Sequence, residues 1–154
     1  MNSTQQLVET VMTRLLDYTP PSGTTLRARL GGGASARLYT VAAPADPVYP
    51  YAVLRIASRP QTDGYGGLRS VAGFEVQVFD RPRSQQWRAE GIGDLIEQAM
   101  LGWCATGTGL VFARHVRRMT LPPAPTPMDR DLVVVTLTLP VVVWPDYLLQ
   151  SALQ

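Results

Sequence analysis

The sequence predicts an α+β fold, in which a mainly antiparallel four- to five-stranded sheet carries two helices packed on one face. Two stretches, residues 51–56 and 71–79, alternate side chains with the period of two that places apolar residues on one face of a strand. Residues 87–103 follow and repeat apolar side chains at intervals of three and four, as an amphipathic helix does. A strand pair followed by such a helix closes a small core when the helix folds back onto the sheet.

Length and composition favour a single domain over residues 1–154. A chain of 154 residues buries enough surface to need no covalent staple. Only 17% of the residues are charged, below the roughly 25% of typical soluble domains. Either partners cover part of the surface, or the protein is a modestly charged monomer. All 14 basic residues are Arg, which suits buried pairing at interfaces but also follows from a G+C-rich coding sequence.

Cysteine content and hydropathy point to a soluble protein of a reducing compartment. The single cysteine, Cys104, excludes an internal disulfide and a cysteine-based metal cluster. Its position just after the helix predicts a small buried apolar residue. No apolar run reaches the roughly 18 residues of a membrane span, and the N-terminus lacks the pattern of a signal peptide. We therefore expect no membrane association.

The first helix is predicted over residues 3–18. Ser3 and Gln6 have the spacing of a capping box, and Pro20 and Pro21 end the helix. The apolar stripe of this helix consists of Leu7, Val8, Val11, Met12, Leu15 and Leu16.

The next two segments are a segment of ambiguous structure and a short strand. Residues 22–35 alternate apolar and Arg residues and then contain Gly31, Gly32 and Gly33, which suggest a flexible link. The spacing of these glycines fits no phosphate-binding loop. Residues 36–42 predict a short strand, and prolines break the chain before the strand at 51–56.

The connection between the two central strands, residues 59–68, is longer than most hairpin loops. It is either a binding element, because loops on a rigid frame often carry function, or a solvated hairpin tip. The helix that follows the second strand has an apolar stripe that begins at Trp87 or Arg88. Its Gly91 and Gly93 either admit a close neighbouring backbone or bend the helix.

Two further strands are predicted at residues 110–119 and 131–143. The second is the strongest strand signal in the chain, with Val133, Val135, Leu137 and Leu139 on one face. Pro140 marks an edge, a bulge or the end of that strand. A stiff, proline-rich connection, residues 121–131, lies between the two strands. The apolar residues of segment 144–154 suggest that it packs on the body or on a neighbouring molecule.

The residue types offer little for catalysis, so we expect no enzyme activity, no cofactor and no metal site. There is one His, one Cys and no Lys, which leaves few of the usual nucleophile and base pairs. His115 has no ligand at metal spacing, and Asp94 and Glu97 fit the solvated face of a helix. Arg114, Arg117 and Arg118 form too small a basic group for a nucleic-acid surface.

Three features carry a resemblance to a known family. The first is the amphipathic helix followed by ARLYTVAAPADPVYPYAVLR, residues 36–55. The second is FEVQVFDRPRS, residues 74–84, a strand that turns into a helix. The third is the order helix, strand, strand at the end. With these features, most of residues 1–145 resembles the tail terminator (tail completion) proteins of long-tailed bacteriophages and related gene-transfer particles. Residues 121–131 and 144–154 have no counterpart in that pattern.

The resemblance implies a structural virion protein located where the tail meets the neck and assembled in the bacterial cytoplasm. Such a protein forms a homo-hexameric ring on the tail tube, ends tube polymerisation and meets the head–tail connector or head-closure protein. DNA passes through the ring without tight binding. The alternatives are another neck or tube component (a head-closure or tail-tube protein) and a small nucleic-acid-binding module.

A ring subunit needs two different adhesive surfaces. Because aromatic and Arg residues are enriched at interfaces, we take candidates from the connection between the two central strands and from segment 144–154. Pairing of strand edges between subunits is a further route. The candidates for contact with the tube or a neighbour are Arg59, Asp63, Tyr65 and Arg69, and those for a subunit interface are Trp144, Tyr147 and Leu148.

Overall fold

The computed structural model describes residues 3–32, 36–56, 61–62, 68–69, 73–120 and 131–143. The fold is α+β, as predicted, and the described helices lie together on one face of a sheet. These helices are α1 (Ser3–Asp17), α2 (Leu26–Arg29) and α3 (Gln86–Met100). The strands are β1 (Leu38–Thr40), β2 (Tyr51–Ile56), β3 (Gln61–Thr62), β4 (Leu68–Arg69), β5 (Gly73–Asp80), β6 (Cys104–Ala105), β7 (Leu110–Phe112), β8 (Arg117–Thr120) and β9 (Val133–Val143).

The main sheet has seven strands, in the order β1-β2-β5-β9-β7-β6 with β8 also paired to β9, and β3 and β4 form a separate two-stranded sheet. The expectation of four to five mainly antiparallel strands was therefore wrong in size, and the sheet is mixed. β1 runs parallel to β2 because the ten-residue connection between Thr40 and Tyr51 carries the chain back to the starting end of the sheet. The prediction of two helices was also short by one, since α2 lies in the segment of ambiguous pattern.

α1 and α2 form one corner of the helical layer. Leu7 and Val11 of α1 are fully buried, as the stripe predicts. The Thr25 hydroxyl caps α2 by accepting a hydrogen bond from the Ala28 amide at 3.2 Å. Leu26 and Leu30, which belong to the segment of ambiguous pattern, lie one helical turn apart and are both fully buried.

β9 is the central strand of the sheet. One of its edges pairs with all of β5, and its other edge is divided between β8 and β7. The predicted strand at 110–119 is interrupted: residues 113–116 separate β7 from β8, while only residues 139–140 of β9 face that gap. The carbonyl of Pro140 accepts a hydrogen bond from the Ala113 amide at 2.9 Å, so the strand continues through the proline to Val143.

Two predicted burial assignments change in the structure. Trp87 does not belong to the apolar stripe of α3 but is 81% exposed, and the buried face starts at Ala89. Cys104 is exposed rather than buried, because Ala105 takes the inward position of the short strand β6. Asp94 is exposed and Glu97 partly exposed, as expected for the solvated face of α3, and both also bind an arginine of β8. None of the described helices combines the length and apolarity needed to cross a bilayer.

Candidate functional site

The predicted interface residues fall largely outside the described part of the chain. This applies to Arg59, Asp63 and Tyr65 and to the C-terminal candidates Trp144, Tyr147 and Leu148. Arg69 lies in β4, whose backbone pairs with Gln61 of β3. The long connection between β2 and β5 thus contains a small hairpin of its own. The binding roles of these residues stay predictions.

An aromatic cluster lies on the sheet face opposite the helices. Tyr51 of β2 stacks on Phe79 of β5 with ring centroids 4.8 Å apart and planes at 12°. Tyr49 and Tyr39 flank Tyr51 at 5.4 and 6.1 Å. Burial raises the pKa of the Tyr51 hydroxyl, and Tyr49 acts in the same direction. The guanidinium of Arg81 lies 5.4 Å from the Tyr49 ring centre, a cation–π distance that fixes the turn beside the cluster.

A buried carboxylate joins this cluster to the start of α3. Asp80, at the end of β5, is fully buried and receives two hydrogen bonds from Arg88, at 2.7 Å from Nε and 2.5 Å from Nη2. The Arg81 amide donates a third at 2.8 Å. The hydrogen bond to Asp80 raises the pKa of Arg88 above its ordinary value, against the effect of burial. The turn that presents the exposed Trp87 is therefore fixed from inside the fold.

A second cluster of charged residues connects β8 to α3. The Arg118 side chain forms ion pairs with Asp94 and Glu97 at 2.7 Å and with Glu90 at 3.3 Å. Thr120 also donates to Glu90. Burial alone would lower the pKa of Arg118, but the hydrogen bond to Asp94 and the charges of the three carboxylates raise it. A Cβ added at Gly93 would lie 3.4 Å from Arg118 Cζ, at ordinary van der Waals contact. The sequence left open a close neighbouring backbone or a bend at this glycine, and the nearest atoms belong to side chains.

We expect Arg118→Met to lower the free energy of unfolding by about 1–2 kcal/mol at low salt, because three carboxylates of one helix face then lose their shared cation. The measurement is urea unfolding at about 20 mM and 500 mM NaCl. The loss should shrink at high salt, since screening weakens repulsion between charges near the surface. Arg117→Met is the matched control, because Arg117 is exposed on the same strand. An equal loss in both variants would contradict a specific role for the Arg118 ion pairs.

A third arginine lies in a surface cavity of about 510 Å³ between α1 and the start of β6. The Arg14 guanidinium sits between two aromatic rings, with its Cζ atom 4.7 Å from the Tyr18 centroid and 5.4 Å from the Trp103 centroid. Its Nε donates to the Ala99 carbonyl at 2.8 Å. The contact between Arg14 and Tyr18 could be inferred from the sequence, because the two residues are one helical turn apart. The contact with Trp103 arises only from the fold.

The described residues contain no group of three or more His, Cys, Asp or Glu side chains that could hold a metal ion. His115 is exposed in the segment between β7 and β8. The clusters described above consist of aromatic rings, guanidinium groups and carboxylates.

Comparison with solved structures gives a fold relationship. No protein-family model matches the chain, and no curated protein matches it. Among solved structures, the chain is similar to a chain of a structure described as the virion of native gene transfer agent (GTA) particle. The TM-score is 0.54 and the sequence identity 17%, and the match covers 87% of this chain and 91% of that chain. The two chains share a fold over nearly their whole lengths.

Proposed function

We propose that this protein is a structural component of a tailed, phage-like particle and that it is the tail terminator of that particle. The fold shared with a chain of a gene-transfer-agent virion carries the proposal, because the similarity covers almost all of both chains. The family resemblance of residues 36–55 and 74–84 supports the more specific role. In that role six copies form a ring that ends tail-tube polymerisation and meets the head-closure or connector protein, with DNA passing through.

The described surface is consistent with a role in assembly. Trp87 exposes a large aromatic side chain beside the exposed Arg83, and Trp and Arg are the residue types most enriched at binding hot spots. Among the described strands β8 pairs with β9 alone and carries an exposed Met119, so its outer edge is a candidate place for an added strand. The proposal assigns the chain no catalytic step and no cofactor.

The deciding experiment is deletion of the gene in a particle-producing strain, followed by measurement of tail lengths in electron micrographs. A terminator mutant should give tubes of uncontrolled length without heads. Loss of a head-closure protein would instead give tails of normal length that remain unattached, and loss of a tube protein would give no tubes. An unchanged tail-length distribution would overturn the terminator role.

The ring itself is tested with the purified protein. We expect a six-fold ring by native mass and negative-stain imaging, either alone or after addition of the tail-tube protein of the same particle. We also expect no salt-sensitive, submicromolar binding to duplex DNA. A monomer that ignores tube protein and binds duplex tightly would instead support a nucleic-acid-binding module.

A further inference from the structure

Three contacts hold the guanidinium of Arg14 in one orientation. The Tyr18 and Trp103 rings contact its guanidinium at cation–π distance. The bond from Nε to the Ala99 carbonyl, 2.8 Å long, orients the group. Arginine presents its donors as a planar fork that matches a carboxylate, and prior ordering of the fork lowers the entropy lost on binding. The Arg14 guanidinium is therefore preorganised for binding a ligand.

The charge of Arg14 is not neutralised by the part of the chain that the structure describes. No carboxylate there lies within ion-pair distance of it. Asp17 lines the same cavity, but Arg27 binds it at 3.0 Å. In the two other charged clusters the arginine has an acidic partner. Arg88 pairs with Asp80, and Arg118 pairs with three carboxylates. An oriented, half-buried cation without a counter-charge thus distinguishes this cavity from the two ion-pair clusters.

The cavity has the size and lining of a small binding site. Its volume of about 510 Å³ accommodates one side chain of a partner. The Thr10 hydroxyl already donates a hydrogen bond to the Gln6 carbonyl, at 2.9 Å. Thr13 and Thr106 are exposed at the rim and add hydroxyl groups beside the guanidinium. Such hydroxyls can donate to the oxygens of an acidic group.

We propose that this cavity, the Arg14 pocket (Arg14, Tyr18, Trp103, Thr13 and Thr106), binds a single carboxylate on an acidic side chain of a partner protein. One cation does not suffice for a polyanion, because nucleic-acid affinity grows with the number of phosphates neutralised. The proposal goes beyond the terminator role and holds for any assembly in which this chain meets an acidic protein surface.

The test uses the full-length protein labelled with 5-fluorotryptophan, in whichever oligomeric state it adopts. The Trp103 resonance is assigned with Trp103→Phe. The probe is N-acetyl-glutamate N-methylamide, and N-acetyl-glutamine N-methylamide is the neutral isostere. We expect the glutamate probe to shift the Trp103 signal saturably and to bind about 10-fold or more tighter than the glutamine probe, because hydrogen bonds between charged groups are stronger than those to a neutral group. The preference should fall at high salt.

Variants of the pocket complete the test. Arg14→Met should abolish the preference for the charged probe, and Arg14→Lys should reduce it because the fork is lost. Thr106→Glu places a competing carboxylate in the cavity without touching α1, so it should also block the probe even if the Arg14 variants fold poorly. Equal binding of the two probes, or an unchanged preference in Arg14→Met, would overturn the proposal. Tighter binding of inorganic phosphate than of the glutamate probe at the same Trp103 signal would overturn the assignment to a carboxylate.

Discussion

Replacing Gly73 with alanine should destabilise the protein by about 3 kcal/mol or more, which is a large effect for one methyl group. Gly73 is the first residue of β5 and faces Pro140 across the sheet. A Cβ atom there would lie 2.2 Å from the Leu139 carbonyl oxygen and 2.9 Å from the Val141 amide nitrogen. Both are backbone atoms of the central strand, so they cannot rotate away. We expect a fall in Tm of roughly 10 °C.

Gly91→Ala is the matched control, since it makes the same chemical change inside α3. There the nearest atom is Nη1 of Arg29, 3.2 Å from the added Cβ, at the end of a flexible side chain. Alanine favours a helix over glycine by roughly 1 kcal/mol, so Gly91→Ala should be neutral or stabilising. Thermal unfolding of the two variants side by side decides the matter. If both changed Tm in the same direction by similar amounts, close packing at Gly73 would not be the cause.

Arg88→Met should cost about 3–5 kcal/mol of unfolding free energy, because it leaves the carboxylate of Asp80 buried with only the Arg81 amide as a donor. The methionine keeps most of the length of the side chain, so lost packing contributes little. The measurement is equilibrium unfolding in guanidinium chloride. Arg83→Met is the control in the same exposed turn, and a change within about 0.5 kcal/mol is expected there.

The double variant Asp80→Asn/Arg88→Met separates charge from packing. Asparagine keeps an oxygen for the Arg81 amide but removes the uncompensated charge, so the double variant should be more stable than Arg88→Met alone. A double variant as unstable as the sum of both single changes would mean that the two residues act independently. That result would contradict the ion pair as the source of the effect.

Periodicity in the sequence was enough to predict the elements that are long and amphipathic. The stripes of α1 and α3 and the alternation of β5 and β9 match the buried positions in the structure. Short elements were not predictable in the same way. β6 has two residues, and no pattern of period two can be recognised in so short a segment. The parallel pairing of β1 could not be inferred because strand direction depends on the path of the connection, not on side-chain order.

The candidate site was less predictable than the fold. The spacing of apolar residues let the stripe of α3 begin at Trp87 or Arg88, yet the buried face starts only at Ala89. Tyr18 is close to Arg14 in sequence, but the other partners of Arg14 and those of Arg118 lie more than 20 residues away. Ala99 is 85 residues from Arg14, and Glu97 is 21 residues from Arg118. Single-residue signals, such as an isolated Arg, do not identify such partners. The pairs arise only when α1, α3 and the sheet pack together.

The position of β9 in chain order has a consequence for synthesis on the ribosome. β5, β7 and β8 all pair with β9, yet each of them precedes it in the chain. While the first 132 residues emerge, the sheet lacks its middle, and the apolar faces of α3 and β5 have no strand to complete the layer beneath them. Strand pairing over such sequence distances is slow, because a long loop must close before any contact forms. We therefore expect the nascent chain to stay open until Val133–Val143 has left the exit tunnel, and the core to close only then.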